Sequence, residues 1–421
     1  MSDRFYLCID LKSFYASVEC VERGLDPMSV NLVVADPDRN YGTICLAITP
    51  AMKALGIKNR CRVYEIPKEV EYITAPPRMK LYIEYSAEIY GVYLEYIAKE
   101  DIHVYSIDEA FLDVTEYLKM YGMTANELGQ KIMSTIFERT GIRATCGIGT
   151  NLYLAKVALD ITAKKAPDYM GFLNEELYRQ TLWQHKPLTD FWRIGVGTAK
   201  KLSYYGIKTM ESIAQASEDF LYRLFGVDAE LLIDHAWGRE PVTIADIKNY
   251  NPKSNCLSSG QTLLRDYAFD EGRIIVKEMT DLLCLDLTDK NLITNSITLH
   301  IGYTRGAEKP PAHGSVKLEP ETNSDSIMIP AVERLYEKIV DRAVPIRHIN
   351  ITCNNVAAEE CRQYSFFDEV NNIDRSRKIQ KAVLEVKKRY GKNSILRGIN
   401  LLEAGTTIER NRQIGGHKSG E

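Results

Sequence analysis

Acidic residues stand beside two apolar, strand-like segments that lie far apart in the sequence. Asp10 follows the apolar run 4–9, and Asp108 and Glu109 follow a second predicted strand at 103–107. If both segments enter one sheet, these carboxylates converge, and converging carboxylates are the usual protein ligands of magnesium bound with substrate phosphates. An isolated Asp-Glu turn is weak evidence, because such turns are often simply solvated. The acids therefore indicate a candidate phosphoryl-transfer site, with solvated turns as the alternative.

The segments around these acids are more specific than the acids themselves. IDLKSFYASVE at 9–19 and YSIDEAFLDV at 105–114 resemble the two acidic motifs of the Y-family DNA polymerases, in the family's order and separation. The resemblance covers nearly the whole chain and points to the bacterial UmuC/ImpB-like branch. It implies template-directed, error-prone translesion DNA synthesis from dNTP substrates, in DNA repair and damage tolerance such as the SOS response, with two Mg²⁺ ions.

The resemblance also assigns the metal ligands by motif position. Asp10 and Asp108 would bind both metals, Glu109 would assist the metal that activates the primer 3′-hydroxyl, and the Leu11 carbonyl would complete the nucleotide metal's shell. Phosphoryl transfer depends mainly on positioning and on neutralising charge. Carboxylates facing a triphosphate without cations would repel it, so these acids make sense as metal ligands.

The fold that the resemblance implies is an α+β multidomain right hand. It consists of a palm with a mixed sheet and helices, small fingers, a helical thumb with a helix-hairpin-helix, and an α+β little finger. We expect the palm at 1–10 and 82–175, the fingers at 11–81, the thumb at 176–246, a linker at 247–256, the little finger at 257–360, and a clamp-binding peptide with a basic tail at 361–421.

Hydrophobic periodicity gives a compatible reading of the chain. Residues 4–175 alternate between strand and helix patterns, residues 176 to about 240 are helical, and the polar stretch 247–259 resembles a linker. The predicted strands are 4–9, 103–107, 110–114, 144–148, 261–264, 296–303 and 346–352, and the predicted helices are 13–22, 126–140, 152–165, 271–286 and 329–342.

Aromatic residues in the first motif indicate how the sugar of the nucleotide would be selected. In the resembled motif, Tyr15 occupies the steric-gate position, where the ring leaves no room for a ribonucleotide's 2′-hydroxyl. Phe14 would pack beside it and offer its backbone amide. The alternative is that both rings are core residues at the start of a helix, since aromatic residues are commonly buried.

Lysines in two further segments are candidate triphosphate ligands. TPAMKALGIK at 49–58 resembles the fingers motif and places Lys53 at the basic position, where many relatives have arginine. GIGTNLYLAKVALDITAKK at 147–165 resembles the palm motif and favours Lys164. The spacing after Lys156 is one residue longer than in some relatives, so Lys165 stays open, and Lys156 itself would face the acids.

Glycines and lysines in the helical region indicate a site for primer–template DNA. Gly195 and Gly197, followed by Lys200 and Lys201, have the hairpin and second-helix start of a helix-hairpin-helix, which binds phosphates through backbone amides. A plain αα-turn is the alternative. Further along, Arg265, Arg305, Lys309 and Lys317 are either phosphate contacts or ordinary surface charges.

Two features lie beyond the predicted little finger. The segment 363–367 resembles the short peptide by which bacterial polymerases bind the sliding clamp. Its clamp-contacting side chains would be Gln363, Ser365, Phe366 and Phe367. Basic residues then recur at 375–397 with apolar residues at helical spacing, including Ile379. This pattern predicts a basic amphipathic helix that contacts DNA or a partner, or is simply solvated.

Whole-chain properties are those of a soluble intracellular protein. The net charge of −4 excludes a globally basic nucleic-acid binder, so any DNA-binding surface must be local, and the nine cysteines lack metal-site or disulfide spacing. No apolar run is long enough for a membrane span. We expect a cytoplasmic, nucleoid-associated protein, with room for a recombinase or regulatory subunit as partner. Two other functions stay open: a palm-type nucleotidyl cyclase and a catalytically silent DNA- or clamp-binding scaffold.

Overall fold

The computed structural model describes residues 4–39, 42–252, 255–360 and 370–420. The chain forms two compact units, Met1–Tyr250 with His417–Glu421 (unit 1) and Asn251–Gly416 (unit 2). None of the helices in these described stretches is long and apolar enough to cross a membrane.

The strands and helices of unit 1 alternate along the first 175 residues, and helices alone follow up to residue 250. The strands are β1 (Tyr6–Leu11), β2 (Leu32–Val34), β3 (Ala47–Ile48), β4 (Ile73–Ala75), β5 (Ile102–Val104), β6 (Glu109–Asp113), β7 (Ala144–Gly149) and β8 (Met170–Leu173). The helices are α1 (Phe14–Val21), α2 (Pro50–Ala54), α3 (Met79–Tyr96), α4 (Thr115–Tyr121), α5 (Ala125–Thr140), α6 (Leu152–Val157), α7 (Glu175–Leu182), α8 (Val196–Tyr204), α9 (Met210–Ala214), α10 (Glu218–Phe225), α11 (Asp228–Trp237) and α12 (Ile244–Asn249).

The main sheet of unit 1 has five strands in the order β5-β6-β1-β7-β8. β1 is central and pairs antiparallel with β6 and β7, while β8 runs parallel to β7. Glycine is required at Gly147 and Gly149 of β7, because a β-carbon there would lie 2.2 Å and 2.1 Å from backbone atoms of Ala155 in α6. The helix backbone can therefore rest directly on the strand.

A smaller three-stranded sheet, in the order β3-β2-β4, lies between α1 and α3 in the sequence. Its core contains Val33, Ile48 and Met52, all fully buried. The sequence patterns did not predict these strands, because they have only two or three residues each, too few for a period-two pattern to be recognised.

The helical prediction for the end of unit 1 is confirmed, with one correction. The helices α7 to α12 are the only regular elements of 175–250 besides a short 3-10 turn at Leu188–Asp190. Residues 247–249, which we expected in the linker, belong to α12 instead. Thr243 caps that helix through its side chain, so the helix begins well before the polar stretch.

Unit 2 is an antiparallel sheet covered on one side by helices. Its strands are β9 (Leu257–Tyr267), β10 (Leu292–Tyr303), β11 (Ala312–Thr322), β12 (Ile346–Asn354), β13 (Ala357–Ala358) and β14 (Gln413–Ile414), and its helices are α13 (Phe269–Asp289), α14 (Asp325–Ile339), α15 (Val370–Tyr390) and α16 (Thr407–Arg410). The strand order is β11-β10-β12-β9. Apolar residues of these strands and of α13 and α14 form one core. The pair His417–Lys418 is a last short strand, β15, and belongs to unit 1.

The predicted α+β fold class is confirmed, whereas some element bounds were wrong. β5 ends at Val104 and not at residue 107, because residues 105–108 form a turn in which Tyr105 and Ser106 both donate backbone hydrogen bonds to Glu109. The predicted basic helix ends at Tyr390 and not at residue 397. The boundaries of palm, fingers, thumb and little finger stay predictions.

Candidate active site

The acidic residues of the two motifs meet at one edge of the five-stranded sheet. Asp10 is directly opposite Glu109 in the pair of β1 and β6. Directly opposed residues have β-carbons about 4.5–5.5 Å apart on the same face. The Leu11 N–H donates to the Asp108 carbonyl at 2.9 Å and fixes the Asp108 backbone beside them. Asp10 lies inside β1 and not beyond its end, because Leu11 still pairs with Ala144 of β7.

Glu109 is held by two buried groups from other elements. The Cys8 thiol donates to its Oε1 at 3.2 Å, and the Lys156 ammonium donates to its Oε2 at 2.8 Å. Lys156 also lies 3.0 Å from Asp160, one helical turn further along. Burial lowers the pKa of Lys156, but the neighbouring Cys8, Glu109 and Asp160 outweigh burial and raise it above its usual value. Lys156 thus faces the acids, as its position in the motif predicted.

The electrostatic environment of Asp10 is unfavourable to its negative charge. Burial raises the pKa of Asp10 to about 7; Lys164 opposes this shift, and the neighbouring charges of Asp108 and Glu109 add to it. Asp108 accepts a 2.6 Å hydrogen bond from the hydroxyl of Ser106. Carboxylates crowded in this way favour a cation between them.

The donor set fits magnesium and not a protein-only metal cage. Among the residues that the structure describes, no three His, Cys, Asp or Glu side chains are arranged to hold a metal ion by themselves. Magnesium is usually bound through one or two carboxylates, with waters and substrate phosphates completing its shell. Asp10, Asp108 and the Leu11 carbonyl are oxygen donors of this kind at one edge of the sheet.

A π-helical turn interrupts the helix that carries the candidate phosphate lysines. α6 continues as a π turn at Ala158–Thr162 and a 3-10 turn at Ala163–Lys165. A π turn accommodates one extra residue, which accounts for the longer spacing after Lys156. It leaves the Lys164 ammonium 2.7 Å from Asp160 and 3.8 Å from Asp10. The geometry therefore favours Lys164 over Lys165 as the lysine beside the acids.

Tyr15 lies at the start of α1 and packs against another tyrosine. Its ring stacks on that of Tyr82, with centroids 4.5 Å apart and planes 17° from parallel, and Phe14 lies buried beside it. Burial raises the pKa of Tyr15, Asp108 adds to the shift and Arg60 opposes it. Tyr15 thus lies close enough to Asp108 to feel its charge.

The hydroxyl group of Tyr82 is bound by an ion-pair network around the buried Glu19. Its hydroxyl donates to Glu19 Oε1 at 2.8 Å, and Arg78 donates to both Glu19 oxygens at 2.9 Å. Arg23 also pairs with Glu19. Burial favours the neutral acid, yet the hydrogen bonds from Arg78, Arg23 and Tyr82 prevail and lower the pKa of Glu19. The sequence analysis did not identify Arg78, Arg23 or Tyr82. Glu19 was part of the first acidic motif, one helical turn after Tyr15, but no role was predicted for it.

The second candidate phosphate ligand, Lys53, lies in α2 within the electrostatic reach of the acids. Desolvation lowers the pKa of Lys53; the charge of Asp10 opposes this shift, and the charge of Lys164 adds to it. Pro50 occupies the first turn of α2, where a missing N–H costs nothing. The charges of Asp10 and Lys164 thus both act on Lys53.

Comparison with known proteins decides the family. The sequence profile of the impB/mucB/samB family matches residues 9–160, and the profile of that family's C-terminal domain matches residues 255–366. The chain belongs to the impB/mucB/samB family. This is the UmuC/ImpB-like branch of the Y-family DNA polymerases, in agreement with the resemblance of the two acidic motifs.

Whole-length relatives and a solved structure agree with this assignment. The chain is 31% identical over 415 residues to the putative UV-damage repair protein UvrX of Bacillus subtilis (strain 168), covering 98% of this chain and 97% of UvrX. It is 30% identical over 429 residues to DNA polymerase IV 2 of the same strain, covering 99% of each chain. A chimeric Y-family DNA polymerase of Dbh and Dpo4 has the same fold, with a TM-score of 0.66, 22% identity, and coverage of 84% of this chain and 99% of the chimera.

The glycine hairpin of this Y-family chain is open to solvent. Gly195 precedes α8 as its N-cap, Gly197 lies in the first turn, and a β-carbon at either position would meet no described atom within 4 Å. Lys200 is exposed. Lys201 instead donates to the carbonyl of Leu224 at the end of α10, so its charge is already used within the protein. Gly195, Gly197 and Lys200 stay available to a phosphate.

Two of the four basic residues proposed to contact DNA from unit 2 are engaged in ion pairs. Arg265 pairs with Glu271 at 2.5 Å, and Lys309 pairs with Asp341. Arg305 and Lys317 are exposed. These contacts weaken the interpretation of Arg265 and Lys309 as free phosphate ligands.

The basic helix α15 is buried in part through a polar residue that the apolar pattern did not include. Ile379 is 54% exposed, whereas the neighbouring Gln380 is 2% exposed and donates to the Asn323 carbonyl at 3.3 Å. Arg397, beyond the helix, pairs with Asp281 at 2.7 Å. The packed face of α15 therefore combines Gln380 with the half-buried Val383 and Val386, and Ile379 lies outside it. The predicted clamp residues Gln363, Ser365, Phe366 and Phe367 lie outside the described residues.

Proposed function

We propose that this chain copies damaged DNA by two-metal phosphoryl transfer, extending a primer on a template with dNTP substrates. Family membership makes it a DNA-directed DNA polymerase of the translesion class. The observation that carries the two-metal mechanism is the register of β1 and β6, which puts Asp10 opposite Glu109 with Asp108 beside them. That arrangement also supports Asp10 and Asp108 as the ligands of both ions, with the Leu11 carbonyl.

Side chains around these acids position the carboxylates that would bind the metal ions. Two bound magnesium ions would activate the primer 3′-hydroxyl and neutralise the triphosphate. Lys156 holds one oxygen of the Glu109 carboxylate through its 2.8 Å ion pair, and the Cys8 thiol donates to the other oxygen. Glu109 is therefore a positioned assistant, while Asp10, 3.8 Å from Lys164, and Asp108, which accepts from Ser106, would be the main cation ligands.

Positive side chains and aromatic rings select the incoming nucleotide. Lys164, which lies 3.8 Å from Asp10, and Lys53 would neutralise the charge of the triphosphate. Tyr15 would exclude the 2′-hydroxyl of a ribonucleotide, because its ring is fixed against Tyr82 and cannot easily turn away.

The remaining parts of the proposal concern macromolecular partners. The open hairpin at Gly195 and Gly197, with Lys200, supports a sequence-independent phosphate contact to primer–template DNA. The segment 363–367 supports binding to the bacterial sliding clamp on sequence alone. A role in the SOS response, a recombinase or regulatory subunit, and a cytoplasmic, nucleoid-associated location complete the proposal.

A primer-extension assay tests the catalytic assignment. We expect a single dNTP to be added to a primed template only with magnesium, and Asp10→Asn to abolish the addition. Glu116→Gln is the matched control, since Glu116 is an exposed carboxylate in α4. Extension by Asp10→Asn at the control's rate would refute the mechanism. Cyclic nucleotide formation from ATP alone would favour a cyclase, and DNA binding without extension would favour a scaffold.

A further inference from the structure

The segment His417–Gly420 makes a specific ion pair with the loop after β2. Lys418 lies 2.9 Å from Asp36 and also pairs with Asp38. Asp36 is 8% exposed, so this carboxylate is largely withdrawn from water. The Lys418 side chain is 38% exposed, so solvent screens this pair in part and its contribution to stability is modest. The contact nevertheless gives this segment, which we term the clip, a defined partner in the loop after β2.

The clip also completes the start of α3. The Ser419 carbonyl accepts a hydrogen bond from the Lys80 N–H at 2.9 Å, and Ser419 is 7% exposed. The first N–H groups of a helix have no partner inside the helix. The N-cap residue of α3 is Arg78, and its side chain makes no capping hydrogen bond. The clip thus provides a cap that the local sequence lacks.

Gly420 fits closely against the residue that begins α3. Its φ angle is +94°, and a β-carbon there would lie 2.9 Å from both the Cα and the Cβ of Arg78. A larger residue would meet both a strained backbone and a backbone clash. Glycine is therefore required for the clip to reach Arg78.

Arg78 connects the clip to the nucleotide-selecting ring. It donates to both oxygens of Glu19 at 2.9 Å, and Glu19 accepts the Tyr82 hydroxyl at 2.8 Å. Tyr82 in turn stacks on Tyr15. Every step in this series is a direct contact between side chains that are wholly or partly buried.

We propose that the clip is a positioning segment for sugar selection, acting on Tyr15 through Arg78, Glu19 and Tyr82. This inference rests on the proposed role of Tyr15 as the steric gate. With the clip in place, the first turn of α3 and the Arg78 guanidinium are fixed, and the Tyr82 ring holds the Tyr15 ring in one orientation. Without the clip, Arg78 loses its contact with Gly420 and the first turn of α3 unwinds. The Tyr15 ring then becomes more mobile and excludes the 2′-hydroxyl less well.

Single-site variants test the clip without shortening the chain. Gly420→Val should displace it, Lys418→Ala should weaken it, and Lys418→Arg should retain it. Gly91→Ala is the control, because Gly91 lies in the same α3 and a β-carbon there meets no described atom within 4 Å. The measurements are kcat and KM for a dNTP and the matching rNTP, and amide hydrogen exchange in the first turn of α3.

The clip predicts a specific pattern of results. In Gly420→Val, the amides at the start of α3 should exchange faster than in the wild type. The preference for dNTP over rNTP should fall roughly fivefold, which is the effect expected for the loss of one helix cap. The kcat for the dNTP should change little. Lys418→Arg and Gly91→Ala should match the wild type. If Gly420→Val leaves the preference unchanged while Tyr15→Ala alters it, the proposed role of the clip is refuted and the role of Tyr15 as the steric gate is retained. An unchanged preference in Tyr15→Ala would refute the gate itself, and the clip's proposed role with it.

Discussion

Lys156 is a buried cation beside the candidate metal ligands, and its replacement should leave the Glu109 carboxylate without a partner charge. Its side chain is 10% exposed and lies 2.8 Å from Glu109, which is itself 9% exposed. It also lies 3.0 Å from Asp160, which is 25% exposed. The acids around Lys156 outweigh its burial and raise its pKa, so it is charged at neutral pH. Its charge balances carboxylates that water reaches poorly.

The cost of removing this charge follows from the burial of its partner. Lys156→Met keeps the length and apolar stem of the side chain and deletes the ammonium. Breaking a buried ion pair by removing one partner costs about 3–5 kcal/mol, because the other charge stays buried without compensation. Since Asp160 is partly hydrated, we expect the lower end, about 3 kcal/mol, or more than a hundredfold in the folded-to-unfolded ratio.

Urea unfolding followed by circular dichroism at pH 7 in EDTA measures this loss. Lys165→Met is the matched control, because Lys165 is an exposed lysine of the same segment. Adding Glu109→Gln to Lys156→Met should recover part of the stability by removing the stranded charge. Equal stabilities of Lys156→Met and Lys165→Met would refute the idea that Lys156 compensates a buried carboxylate.

Three other outcomes follow from the same geometry. Tyr15→Ala should raise ribonucleotide incorporation by about a hundredfold or more, since the ring that blocks the 2′-hydroxyl is gone; single-nucleotide insertion kinetics measure the ratio. Lys164→Ala should raise KM for the dNTP by roughly tenfold while Lys165→Ala leaves it unchanged, because a charge-assisted contact to phosphate is lost only in the first. The lowered pKa of Glu19 stabilises the fold at neutral pH, and this stability is lost as the pH falls through that pKa; Glu19→Gln should therefore lower stability at pH 7 and flatten its acid dependence.

Features that are local in sequence were predictable. The apolar run before Asp10 and the apolar run after Glu109 identified β1 and β6. These two strands are paired in one sheet, with Asp10 opposite Glu109. The sequence also favoured Lys164 and left Lys165 open, and the structure places Lys164 3.8 Å from Asp10. The meeting of the two acidic segments in one sheet could therefore be predicted, whereas the π turn that positions Lys164 could not.

Features that depend on distant contacts were not predictable. Arg78 and Glu19 are 59 residues apart, and no periodicity connects them. β11 was missed because its alternating residues include histidine, serine and lysine, which weaken the apolar signal. In α15, the apolar pattern included Ile379, which is exposed, and did not include Gln380, which is buried and donates a hydrogen bond to Asn323. Tertiary packing decided each of these cases.

The most direct test of the central claim is anomalous diffraction from manganese, a magnesium substitute, in crystals of the chain with primer–template DNA and a non-hydrolysable dNTP analogue. We predict two manganese peaks within ligand distance of the Asp10 and Asp108 carboxylates, both lost in Asp10→Asn. Manganese bound elsewhere, or peaks that persist unchanged in Asp10→Asn, would contradict the proposed catalytic site.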